Sequence, residues 1–130
     1  MDSAEIETIY GQIVAKANNY QAAPDGHGGR RIIKSDRTRA YERSFTRQCR
    51  KYAGRMINTR FELIVAVYYQ APCYDLDNSL KTLLDCLQYV KAITDDNLCA
   101  RIVADKLVDK YNPRVEFSII ADKPAPTLFD

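Results

Sequence analysis

Between Arg60 and Gln70 every second residue is large and apolar. Phe61, Leu63, Val65, Val67 and Tyr69 share one side, while Ile64, Ala66 and Tyr68 make the other half-apolar. A period of two predicts a strand, and apolar character on both sides predicts a central one. Pro72 ends it. From about Leu76, the residues Leu80, Leu83, Leu84 and Leu87 recur at helical spacing and predict a helix ending near Lys91, with Asp77, Lys81 and Asp85 along its opposite edge. Upstream, Ser35 or Asp36 can cap a helix carrying Tyr41, Phe45, Tyr52 and Met56 on one face, with Cys49 helping to fill the gap. This helix is expected to run to Gly54 or a little beyond.

Weaker patterns complete the outline. Glu5 to Val14 alternates, with Ile6, Thr8 and Tyr10 against Glu5, Glu7 and Ile9, and reads as a modest strand. Asn18 to Gly29 gathers Asn-Asn, Pro-Asp-Gly and His-Gly-Gly, which favour turns over any regular element, and Arg30 to Lys34 reads as a brief strand returning from them. Arg101 to Lys110 and Val115 to Ile120 read as strands joined by Tyr111-Asn112-Pro113-Arg114 into a closing hairpin, followed by a loosely held tail from Lys123. The sum is an α+β fold: a small mixed β-sheet of about four to five strands with two main helices, in one domain spanning 1–130.

Composition agrees. The chain has 130 residues, 46% of them apolar, with five Gly and five Pro, so it can bury a core and has room for one domain. The longest apolar run, Leu63 to Tyr69, is far short of the roughly 20 residues of a spanning helix, and the acidic start does not resemble a secretion signal. A cytoplasmic protein without membrane or organic cofactor is expected. Cys49, Cys73, Cys86 and Cys99 stand at least 13 apart with no C-x-x-C pair, beside a single His, which disfavours zinc and predicts free thiols.

The net charge of +2 conceals a segregation. Arg30 to Arg60 holds eleven basic residues against two acids, a balance of +9, whereas the remainder holds eight against fifteen, or −7. On the first helix Arg39, Arg43, Arg47 and Arg50 step by four, four and three on the side away from Tyr41. With Arg37 and Lys51, and with Arg30, Arg31 and Lys34 before the helix, they suit a polyanion. A merely solvated face is the competing reading.

The acidic remainder has its own focus. Asp75 and Asp77 stand where the buried strand gives way to a helix, a place where α/β architectures hold ligands. A bare D-x-D is equally a capping cluster. Asp95-Asp96 follow the helix by about five residues, enough chain to return and add a third carboxylate, and three such groups repel strongly without a divalent cation. Lys81, one turn from Asp77, can lean over a bound phosphate or form an i, i+4 pair worth about 0.2 to 0.5 kcal/mol.

The run Asp75-Leu76-Asp77-Asn78-Ser79-Leu80-Lys81, then Leu84-Asp85-Cys86-Leu87, Asp95-Asp96 and Lys106, resembles the signature of the RusA-type Holliday junction resolvases. The likeness extends upstream through Asn18-Asn19-Tyr20 and the basic helix from Arg37. It departs where Ile13 to Asn19 replaces a proline-rich approach. The resemblance implies a homodimer that cuts branched DNA with Mg²⁺ or Mn²⁺, nicking two strands symmetrically to leave 5′-phosphates. It implies Asp75, Asp77 and Asp96 as metal ligands and Lys81 as a catalytic residue.

Read on that basis, the carboxylates hold one or two Mg²⁺ and Lys81 offsets charge on the reacting phosphate. Asp95 is structural or orients a ligand, Asp85 orients Lys81, and Asn78 caps the helix or binds a water on the metal. Lys16 and Lys106 are further DNA-binding candidates near the acidic pocket, and Tyr20 or Tyr74 could stack on an unpaired base. Two rivals remain. One is a non-catalytic DNA-binding dimer. The other is a Mg²⁺-dependent phosphatase of the haloacid dehalogenase type, against which stand the intervening Gln70 to Tyr74 and the short chain.

Overall fold

The computed structural model describes residues 5–15, 20–24, 26 and 29–121. Its elements are β1 (Glu7–Tyr10), β2 (Tyr20–Pro24), β3 (Arg30–Lys34), α1 (Asp36–Gln48), β4 (Phe61–Tyr69), α2 (Leu76–Tyr89), a 3-10 turn (Asp96–Leu98), β5 (Cys99–Val108) and β6 (Arg114–Ala121). Four strands form a mixed sheet in the order β1-β6-β4-β5, and β2 and β3 form a separate antiparallel ribbon. The fold is α+β, as the patterns predict.

β4 is interior, and its alternation decides the packing. Phe61, Leu63, Val65, Val67 and Tyr69 are buried, under the same side of the sheet as Val115, Phe117 and Ile119 of β6. Tyr41 and Phe45 of α1 and Leu83, Cys86 and Leu87 of α2 close the core from the helical side. In β1 the inward residues are Ile9 and Glu7, while Tyr10, and Ile6 just before the strand, are exposed. A buried glutamate needs partners, and the Glu7 carboxylate accepts the backbone N–H groups of Lys51 at 2.6 Å and Tyr52 at 3.3 Å.

Those two bonds account for the first correction. α1 stops at Gln48, well before Gly54, because Glu7 takes N–H groups that a continuing helix would turn inward. The Gln48 amide in turn bonds both the N–H and the C=O of Tyr10, tying the helix end to β1. The chain then turns at Gly54, whose φ of +79° suits a residue without a side chain. Tyr52 still reaches the core, but Met56 lies exposed and Arg50 lies beyond the helix.

Two further expectations change. The segment read as turns contains β2, since Tyr20–Pro24 pairs antiparallel with Arg30–Lys34. The closing hairpin is absent: β5 runs parallel to β4 and β6 antiparallel to it, on opposite edges, so Tyr111 to Arg114 bridges over the end of β4. A strand reached through a helical crossover returns parallel, and α2 is that crossover. None of the four cysteines, all among the described residues, forms a disulfide. The tail from Lys123 lies outside the described residues.

Candidate functional site

The candidate site begins where β4 ends. The buried Tyr69 donates its hydroxyl to Ser79 Oγ at 2.7 Å, and Ser79 Oγ donates to the carbonyl of Asp75 at 3.1 Å. Burial pushes the Tyr69 phenol above its ordinary value, so it remains a donor. Its ring stacks on Tyr74, 5.5 Å between centroids and 4° between planes. Lys106 of β5 donates to the carbonyl of Pro72 at 2.8 Å and lies 5.8 Å from the Tyr69 ring centroid. The short loop before Asp75 is thereby fastened to the strand behind it, the helix ahead and β5 beside it.

Asp75 then caps α2. One carboxylate oxygen accepts the N–H of Asp77 at 3.1 Å and the other accepts the Asn78 amide at 2.8 Å. Both ligand and capping readings of the D-x-D are therefore compatible, since each oxygen retains a free lone pair. Asn78 orients Asp75 rather than capping the helix itself. Asp77 is exposed, with Lys81 Nζ 3.7 Å from its carboxylate. Two carboxylates and an ammonium thus face solvent together at the positive end of a helix dipole.

Asp96 is not with them. Its backbone N–H donates to the Gln88 side chain at 2.8 Å, near the far end of α2. Desolvation first, and then the carboxylates of Asp95 and Asp85, raise its pKa. Asp85 stands eight residues beyond Asp77, a rise of about 12 Å along the helix. Asp95 caps the 3-10 turn, accepting the N–H of Asn97 at 3.0 Å. The expected return of Asp95-Asp96 to the head of α2 fails because β5 is parallel to β4. Its first residue, Cys99, pairs with Phe61 at the opposite end of the sheet from Tyr69. Among the described residues, no three carboxylate, imidazole or thiol groups are placed to hold a metal ion.

The basic face is where helical spacing puts it. Arg39, Arg43 and Arg47 are exposed opposite the buried Thr38, Tyr41 and Phe45, and Arg37 is exposed at the flank of the buried face, one turn before Tyr41. Arg39 pairs with Asp36 at 2.9 Å. Arg37 and Tyr74 line one concavity of about 120 Å³ with Ile13, Val14 and Ala15, which sets Arg37, in the first turn of α1, beside the residue preceding Asp75. Lys51 is drawn away to the carbonyl of Ile6. Arg50 is exposed beyond the helix. Lys16 lies outside the described residues, as do the side chains of Arg30, Arg31 and Lys34 on β3 and that of Tyr20.

The sequence model of the family Endodeoxyribonuclease RusA matches residues 11–120. The chain belongs to the RusA endodeoxyribonuclease family. That span holds the arginine helix, the head of α2 and the Asp95-Asp96 turn, so each feature of the site falls inside the RusA match. No curated protein matches the chain. No described helix is long and apolar enough to cross a membrane.

Sequence reasoning passed over Tyr69, Ser79 and Gln88 as parts of this RusA site. Gln88 was within reach of it, because Asp77, Lys81, Asp85 and Gln88 step by four, four and three along one edge of α2. Tyr69 and Ser79 carried no signal, since each reads as an ordinary core residue until the loop between them is closed.

Proposed function

We propose that this RusA-family protein is a metal-dependent Holliday junction resolvase, acting as a homodimer on branched DNA. The observation that carries the reading is the head of α2, where Asp75 and Asp77 lie exposed beside Lys81, with the first arginine of the basic helix next door at Tyr74. Carboxylate oxygens are the donors that Mg²⁺ and Mn²⁺ prefer, and both side chains have lone pairs to give. When bound, such a cation supplies the Lewis acidity that polarises a phosphate and activates water.

The chain's own residues do the rest. Asn78 holds the Asp75 carboxylate in place, and Lys81 offsets negative charge on the reacting phosphate. Water adds to phosphorus and the bond to the 3′ oxygen breaks, leaving a 3′-hydroxyl and a 5′-phosphate. Arg37, Arg39, Arg43 and Arg47 track the backbone, with Lys16, Arg30, Arg31, Lys34 and Arg50 as further cations. Lys106 serves chiefly to hold the loop before Asp75.

The place of Asp96 supports the homodimer reading. Within one chain it is remote from Asp75 and Asp77, so a cation held by all three draws Asp96 from a second subunit. β5 is one of the two outer strands of its sheet, and antiparallel pairing of two such β5 edges would carry each Asp95-Asp96 turn to the end of the partner's sheet that bears Asp75 and Asp77. Centred on Val103, that pairing also sets Arg101 against Asp105.

The test is a labelled four-way junction and a matched linear duplex incubated with protein and Mg²⁺ or Mn²⁺. Paired nicks confined to the junction and abolished by EDTA are expected. Binding without cleavage under both metals would favour a non-catalytic DNA-binding dimer.

A further inference from the structure

Among the described large apolar residues Tyr111 is the most exposed, at 88%. Its ring stands on the connection between β5 and β6, and folding does not explain it there, because it buries almost nothing. The connection is also firmly built. Arg114 donates to the Asp109 carboxylate and to the carbonyl of Asn112, each at 2.9 Å, and its guanidinium lies 3.7 Å from the centroid of the Tyr68 ring. Asn112 N–H closes back on the carbonyl of Asp109, and Gly11 N–H bonds the carbonyl of Pro113. A ring presented on a fastened turn loses little freedom when it meets a partner.

The position of the turn names the partner. Asp109 donates its N–H to the carbonyl of Tyr69 at 2.8 Å, so Tyr111 rises from the same end of the sheet as the loop leading to Asp75 and Asp77. Tyr89, also well exposed, ends α2 at the opposite end. Lys110 holds its ammonium 5.5 Å from the Tyr111 ring centroid. An aromatic face with a cation beside it matches a nucleobase next to its phosphate. Tyr74 offers less for this task, being half-buried with one ring face stacked on Tyr69.

We infer that Tyr111 is a stacking platform for an unpaired base at the branch point, with Lys110 contacting the adjoining phosphate. The inference rests on the proposed action on branched DNA. In a continuous duplex both faces of each base are covered by neighbours, so the ring finds a free face only where pairing or stacking is interrupted. Tyr111 thereby favours branched over linear DNA.

The test uses the full chain in EDTA, so that binding is read without cutting. Fluorescence anisotropy compares wild type, Tyr111→Ala and Tyr111→Phe on a four-way junction with unpaired thymidines at the crossover and on a linear duplex. Tyr111→Ala is expected to lose about 5- to 100-fold in affinity for the junction while duplex binding changes little, and Tyr111→Phe to bind as wild type does. Iododeoxyuridine at the crossover is expected to crosslink to Tyr111. Wild-type affinity of Tyr111→Ala for the junction, or equal losses on both DNAs, would overturn the inference and leave the resolvase reading standing. Failure of the wild-type protein to bind either DNA would overturn both.

Discussion

Asp75 caps the helix that carries Asp77, accepting its backbone N–H at 3.1 Å, so one carboxylate both starts α2 and stands exposed as the proposed metal ligand. The two duties separate on substitution. Asparagine caps as well as aspartate, so Asp75→Asn is expected to keep its stability within a few tenths of a kcal/mol, whereas Asp75→Ala loses about 1 kcal/mol. Both are expected to lose junction cleavage, because neither supplies a charged ligand. Chemical denaturation read beside a cleavage assay checks both halves.

Ser79 and Tyr69 form a buried pair whose energetics are asymmetric. Ser79→Ala leaves the Tyr69 hydroxyl, at 0% exposure, without its acceptor, a cost of about 1 to 3 kcal/mol. Removing the hydroxyl as well relieves most of it. The Tyr69→Phe, Ser79→Ala double variant is therefore expected to be more stable than Ser79→Ala alone, in urea melts of all three. A double variant destabilised by the sum of the single effects would contradict the pairing.

The strong periodicities survive folding because they report burial directly. Every residue placed on the inner face of β4 is buried, and α2 begins at Leu76. What local pattern could not carry was partnership between distant segments. Glu7 reads as a polar strand residue until its carboxylate meets Lys51 and Tyr52 and ends α1. Tyr20–Pro24 lacks apolar alternation and becomes a strand by pairing with β3. The turn signal at Asn112-Pro113 was sound, yet the strands on either side pair with β4 and not with each other. The D-L-D-N motif located two carboxylates correctly at the head of a helix. The place of Asp96 depended on the direction of β5, which periodicity does not encode.

Arg43 and Arg47 lie one turn apart on the exposed side of α1. If they track phosphates, replacing both with Gln weakens binding to junction and duplex alike and flattens the salt dependence by about 0.9 in log–log slope per lost contact. Titrations at several salt concentrations read this directly. An unchanged slope would make the stripe a solvated face.

The cysteines differ sharply in environment. Burial, and then the neighbouring Glu7 carboxylate, push the Cys49 thiol up to about 12, and Cys86 is buried, while Cys73 is exposed on the loop before Asp75. A thiolate-selective reagent is expected to label Cys73 first in the native protein and to reach Cys49 and Cys86 only on unfolding. Mass spectrometry of partially labelled protein locates the sites, and early labelling of Cys49 would contradict the closed packing between β1 and the end of α1.

Whether Asp75 and Asp77 of one chain work with Asp96 of the other is tested most directly by mixing inactive subunits. Asp77→Asn and Asp96→Asn proteins are each expected to be inactive on a four-way junction with Mg²⁺. Unfolded and refolded together, they form heterodimers in which one site has all its carboxylates and the other lacks two. The prediction is recovered cleavage confined to single nicks. If the mixture stays inactive while wild type treated in the same way cuts, the carboxylates do not act across the two chains.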